Sequence, residues 1–214
     1  MKRLIIASIF LVYAGMASAQ TAADLFKPGS VEFYWLGIDY SHVKIVGGYI
    51  QFFGDAGKGG AEVRDAFFPA WNALVLAEPK KYDIAGMIQQ SSIKNDIEMI
   101  TSINAKTKID DMEASETPNY SEADIERFVS QYNLSGKSGI GVLFIAESLN
   151  KLGQVGTFHF VAIRNSDKTV LLQQRFTGKP MGFGVRNYWA GSVYDIIGSI
   201  KKTHYKAWKS KYAN

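Results

Sequence analysis

Residues 140–177 read IGVLFIAESLNKLGQVGTFHFVAIRNSDKTVLLQQRFT, and this stretch decides the fold. It divides into three apolar runs, 140–149, 155–164 and 169–177, separated by the short polar turns NKLGQ and NSDK. Branched and aromatic runs of this length, joined by such turns, predict an antiparallel meander. Large apolar residues fall on both faces of the runs, so the sheet is expected to be covered on both sides.

Working outward, residues 31–40 (VEFYWLGIDY) and 43–53 (VKIVGGYIQFF) predict one long bent strand or two short ones, with Gly47 and Gly48 at the bend. The segment GDAGKGG (54–60) breaks that pattern. Val63, Phe67, Ala70, Trp71, Leu74 and Leu76 then recur at helical spacing up to Pro79, with Pro69 predicting a kink or a division into two helices. Ile97, Met99, Thr101 and Ile103 alternate, which predicts a strand over 95–103. Ser121 and the acids after it open a helix striped by Ile125, Phe128, Val129 and Tyr132. A final helix near 190–211 carries Val193, Ile197, Ile200 and Trp208 on one stripe, with His204 on the same side. The expected fold class is therefore α+β: a mixed, mainly antiparallel sheet with a C-terminal three-strand meander and helices packed on it.

The chain has 214 residues, 47% hydrophobic and 21% charged, enough for one globular domain. Its N-terminus reads as an address. Lys2 and Arg3 precede the apolar run Leu4 to Ala14, and Ala17-Ser18-Ala19 supplies a small-x-small cleavage pattern, which predicts a signal peptide over 1–19 and a cut before Gln20. Residues 20–214 are then a single globular domain, periplasmic or secreted, in which no later run is long enough to span a membrane. Cysteine is absent, which excludes disulfides, thiolate metal sites and cysteine nucleophiles. Removing the leader lowers the net charge from +4 to +2, and residues 201–214 hold Lys201, Lys202, Lys206, Lys209 and Lys211 without an acid. The body from 20 to 200 then carries 17 bases and 20 acids, which argues against a nucleic-acid partner. The lysine tail is expected either to serve the helix C-terminus or to make weak contact with an anionic surface.

GIDYSHVKIVG (37–47), PAWNALVLAEPKKYDI (69–84), GIGVLFIAESLNK (139–151) and GFGVRNYWAGSVYDII (182–197) together resemble an uncharacterised family of exported Bacteroidota proteins. The resemblance implies an envelope or secreted location in a bacterium and carries over no catalytic residues.

The chemistry-bearing motifs are sparse. Gly136-Lys137-Ser138 lacks the first glycine of a phosphate loop and leads into a strand rather than a helix. Neither HExxH nor GxSxG occurs, and the acidic loop Asp110 to Glu116 lacks calcium-loop spacing. No metal or organic cofactor is expected. Two groups of candidate residues remain. Arg186, Asn187, Tyr188 and Trp189, after a glycine-rich segment, offer stacking faces with flanking hydrogen bonds, as a carbohydrate or peptide groove requires. Glu147, His159 and Gln174 are expected to converge in the meander as a polar cluster, with His159 lateral to Ile145 and Gln174. Asp39 and His42, an odd number of residues apart, would face opposite ways in a regular strand. The expected function is that of an exported, non-catalytic binding or structural envelope protein, whose partner is a carbohydrate, peptide or envelope component. The alternative is a hydrolase of envelope polymers using a carboxylate pair.

Overall fold

The computed structural model describes residues 20–213, so the leader and its cleavage position lie outside the described residues. Among those residues four of the six strand pairings are parallel. The fold is therefore α/β with a mostly parallel sheet, which corrects the expectation of an α+β protein with a mainly antiparallel one.

The organising strand is β5 (Ile140–Asn150). Along one of its edges run β1 (Phe33–Asp39) and β2 (Lys44–Val46) in tandem, both parallel to it. The two-residue strands β3 (Lys94–Asn95) and β4 (Glu113–Ala114) add to β1 and β2, again in parallel. On the other edge β6 (Val155–Arg164) and β7 (Val170–Gly178) follow as antiparallel neighbours through short turns. Local hydrophobic pattern reads those turns but not the long-range pairings, which are set by helical crossovers.

Helices cover both faces. On one face Trp35, Val142, Phe144, Phe158 and Phe160 pack with α1 (Tyr49–Phe53), α3 (Phe68–Ala77), α7 (Gly184–Ser199) and α8 (Tyr205–Tyr212). On the other, Leu36, Leu143, Ile145, Val161 and Ile163 pack against α5 (Glu98–Asn104) and α6 (Glu122–Ser130). Such double burial is what parallel strands require. The single-turn α2 (Gly60–Glu62) runs through a π turn, Val63–Phe67, into α3. The π turn absorbs Pro69: proline lacks an amide hydrogen and crowds the carbonyl four residues back, and a wider turn relieves both. The short helix α4 is Ile84–Met87.

Residues 98–104 are helix, not the strand expected over 95–103. Their spacing also satisfies a helix, and the helical solution buries Ile100 and Asn104 together. Asn104 explains the choice. Among the described residues the outer edge of β1 has no strand neighbour beyond Trp35, yet Ile38 and Tyr40, the residue that follows β1, are buried. Side-chain amides take the place of a strand there. The Ile38 N–H donates to Asn72 Oδ1 (2.7 Å) and the Tyr40 N–H to Asn104 Oδ1 (2.7 Å). Both Nδ2 groups donate back to the Ile38 carbonyl, at 3.0 and 2.9 Å. The register of β1 on β5 shifts between Trp35 and Gly37, and Gly37 sits at φ +103°, where a Cβ would lie 2.8 Å from Asn72 Oδ1.

Removing either amide strands buried backbone groups, each costing roughly 1–3 kcal/mol. Asn72→Ala and Asn104→Ala are each expected to lower unfolding free energy by about 2 kcal/mol in urea titrations. Gly37→Ala should be destabilising for two reasons, its left-handed backbone and the clash with Asn72. Unchanged urea midpoints would refute this role.

Candidate functional site

Two polar constellations lie on the α6 side of the sheet, one sealed and one open. The sealed one forms at a β-bulge. The β5–β6 register slips between Ala146 and Ser148, so Glu147 is the extra residue, turned toward α6. His159 pairs across with Ile145, and its Nε2 lies 2.7 Å from Glu147 Oε2. Its Nδ1 lies 3.1 Å from the Gln173 amide oxygen. The Arg175 Nε donates to both carboxylate oxygens at 3.0–3.1 Å. The Tyr120 N–H approaches the same carboxylate at 3.4 Å. Burial pushes the Glu147 carboxyl up, but the hydrogen bonds from His159 and Arg175 outweigh it and hold it below the usual glutamate value.

Glu147 and His159 thus converge, whereas Gln174 does not join them. The β6–β7 register shifts between Ala162 and Ile163, which moves Arg175 opposite His159 and Gln174 opposite Phe160. Gln174 therefore lies on the other face, accepting from Trp208 Nε1 (2.6 Å) and lying 3.2 Å from His204 Nδ1. One residue of slip exchanges the faces of a whole strand, so Gln173 and Arg175 take the places expected for Gln174. Both Glu147 and His159 are fully buried, Gln173 and Tyr120 are half-buried, and Arg175, with its side chain 38% exposed, reaches solvent.

The open constellation is a cleft of about 550 Å³ at the step between β1 and β2. The chain leaves β1 through a turn in which the Ser41 N–H donates to Asp39 Oδ1 (2.8 Å) and the Val43 N–H to the Tyr40 carbonyl (3.1 Å). That turn resets the alternation. Asp39 accepts from the Tyr132 hydroxyl at 2.5 Å and His42 stacks on Phe128 of α6, so both face the same layer. The His42 and Phe128 rings lie 3.6 Å apart and 11° from parallel. Tyr120 meets Phe128 edge-on and donates its hydroxyl to the His42 carbonyl (2.6 Å).

Val43, Ile103, Met112 and Phe128 give the cleft apolar walls, and Lys44, Lys106 and Lys108 bring cations to it. Lys44 is held by the Asp111 carbonyl, while Lys106 and Lys108 have no ion-pair partner among the described residues. Among the described residues the only acid in the lining is Asp111. Burial lowers the His42 pKa against the pull of Asp39, with Arg127 and Lys44 adding to the fall, so the imidazole is neutral near pH 7. Chemically, the cleft combines an apolar slot, a neutral imidazole and unpaired ammonium groups.

The stretch 186–189 opens α7 rather than forming a loop. Trp189 is buried, stacked on Phe52 at 5.3 Å. Tyr188 is half-buried beneath the Lys151 ammonium, 3.6 Å from the ring centre. Arg186 is exposed, with its Nε 3.3 Å from Asn187 Oδ1, and its carbonyl accepts from Trp71 Nε1 (2.9 Å). Of the tail lysines, Lys201 pairs with Asp83 at 2.8 Å, and Lys202, Lys206, Lys209 and Lys211 are exposed. The cleft residues Lys106 and Lys108 escaped sequence reading. The available signal was DYSH (39–42), a polar interruption in an otherwise apolar pair of strands.

Compared with family models, with curated proteins and with solved structures, the chain matches none.

Glu147→Gln removes the carboxylate to which Arg175 and His159 bond, a change expected to cost roughly 1–3 kcal/mol. Because the folded carboxyl lies below its unfolded value, its contribution is present above the ordinary glutamate pKa and is lost as pH falls through the folded value. Thermal unfolding from pH 7 down to acid should therefore show a steeper loss for the parent than for Glu147→Gln. Parallel curves would refute the assignment.

Proposed function

We propose that this chain is a non-catalytic binding protein that takes a small organic anion into the cleft beside His42. The observation that carries this reading is the pairing of two unpaired lysines, Lys106 and Lys108, with an apolar slot floored by a stacked ring pair. The cleft volume falls within the range of roughly 300–1,000 Å³ usual for small-molecule sites. A carboxylate or phosphate at the rim gains charge-assisted hydrogen bonds from the ammonium groups, and a flat apolar body lies along Phe128 and Met112.

Binding is favoured over hydrolysis because the two fully buried carboxylates are already committed. Asp39 serves Tyr132 and the Ser41 amide, and Glu147 serves His159 and Arg175. Neither is among the residues lining the cleft, so no carboxylate pair faces a bound substrate there. The export reading belongs to the same proposal. It rests on the charge, apolar run and cleavage triplet of residues 1–19 and on the resemblance to exported Bacteroidota proteins.

The test is calorimetric titration with aromatic carboxylates, benzoate and its hydroxylated derivatives, alongside inorganic phosphate. An aromatic carboxylate is expected to bind, and Lys106→Gln with Lys108→Gln should weaken it by about tenfold or more. The bound anion favours the imidazolium, so its pKa rises on binding. Affinity should then increase as pH falls from 7 through the bound-state value, and His42→Gln should abolish that pH dependence while retaining the fold. If no probe binds, or if the lysine variants bind equally well, the reading fails.

A further inference from the structure

Four strand ends, those of β2, β5, β6 and β7, meet at one end of the sheet. Strand β2 stops at Val46 beside Asn150, the last residue of β5, and β6 begins at Val155 opposite Asn150. Strand β7 ends at Gly178, opposite Gly156. Apolar side chains project from three of the segments that leave this end: Ile50 of α1 (65% exposed), Leu152 of the β5–β6 turn (69%) and Phe183 ahead of α7 (95%). Met181 adds a fourth at 43%.

Contacts link the segments that carry these tips. Leu152 lies close enough to Gly47 that a Cβ there would sit 3.4 Å from its Cδ1, which joins the turn to the start of α1. Lys151 covers the Tyr188 ring, and the Met181 N–H donates to the Tyr188 carbonyl at 3.0 Å, which joins the turn to the 179–188 segment. The Phe183 segment is tied back to α7 by the Met181–Tyr188 backbone hydrogen bond. Gly182 and Gly184 take φ values of +114° and +73°, and a Cβ on Gly182 would lie 3.1 Å from Asn187. The backbone thus presents an aromatic ring to solvent, where it gains nothing from burial.

The charges around the tips are mostly positive. Residues 178–186 (GKPMGFGVR) contain Lys179 and Arg186 and no acid, and Lys151 adjoins Leu152. The nearby acids are Asp195, which accepts from the Lys179 amide, and Glu113, close to Gly48.

We propose that this end of the molecule docks onto an anionic lipid bilayer. Phe183, Leu152 and Ile50 enter the headgroup region, while Lys151, Lys179 and Arg186 meet lipid phosphates. A bilayer suits three tips carried on separate turns, because a fluid partner conforms to them, whereas a rigid protein would need a matched pocket for each. Apolar tips with basic neighbours are also complementary in charge to phosphatidylglycerol-type headgroups. This inference is independent of the cleft.

The absence of cysteine makes the test direct. In the full chain, Phe183→Cys is labelled with an environment-sensitive fluorophore, and Lys206→Cys on α8 serves as a control position. Phosphatidylglycerol vesicles should raise and blue-shift emission at position 183, phosphatidylcholine vesicles should do so weakly, and position 206 should stay flat. Adding Lys151→Glu and Lys179→Glu to the labelled Phe183→Cys chain should weaken the vesicle titration by about tenfold or more. Circular dichroism of each variant checks that the fold is retained. No response at position 183 overturns the proposal. An equal response at position 206 would transfer the contact to the lysine tail, and a lipid-free response that grows with protein concentration would make the surface a self-association face. Either would also overturn it.

Discussion

The buried edge of β1 at Ile38, continued by Tyr40 just beyond the strand, is the constraint on which the rest depends. A sheet edge that is buried but unpaired leaves backbone donors and acceptors without partners. Here two asparagine side chains, from α3 and α5, complete the edge from opposite directions. That solution fixes where both helices sit, because an amide must lie within hydrogen-bond reach of a specific strand residue. It also explains why β3 and β4 are only two residues long and separate: the asparagines occupy the gap between them.

The cleft follows from the same constraint. Asn104 ends α5 against Tyr40, so the chain leaving that helix passes over the step between β1 and β2, carrying Lys106 and Lys108 with it. The step is filled from below by His42, which α6 supports through Phe128. Helix α6 starts where it does because Ser121 and Asp124 cap each other, the Asp124 amide donating to the Ser121 hydroxyl at 3.2 Å and the Ser121 amide to Asp124 Oδ2 at 3.0 Å. An edge repair, a helix end and a cap therefore assemble a site whose residues are scattered from 41 to 132 in the chain.

What could be read in the sequence was what local pattern specifies. The runs of β5, β6 and β7, the α6 cap and the stripe of the last helix all depend on neighbours within about ten residues. Parallel pairing of β1 with β5 joins residues more than a hundred positions apart, and nothing in either run records its partner. The polar cluster was half legible. Glu147 and His159 were found because His159 pairs with Ile145 on the stretch of β5 before its bulge, where the expected register holds. Gln174 was misplaced because a second bulge, on β7, reversed its face. The strand expected over 95–103 failed because alternation at Ile97, Met99 and Ile103 also meets helical spacing, and the decision lay with Asn104, whose partner is in β1.

Net charge was a poor guide to partners for a related reason. Between residues 20 and 200 acids outnumber bases, 20 to 17, yet several of the acids are used internally. Asp83, Asp96 and Glu147 each neutralise a cation, and Asp39 is buried against a tyrosine. Lys106 and Lys108 at the cleft have no such partner among the described residues, and Lys151 and Lys179 stand beside exposed apolar side chains. The potential that an approaching ligand or surface meets is set by charges left unpaired and within a Debye length, about 8 Å in physiological salt. A chain whose body is slightly acidic on balance thus presents basic character at the cleft and at the sheet end, where the geometry leaves room for a partner.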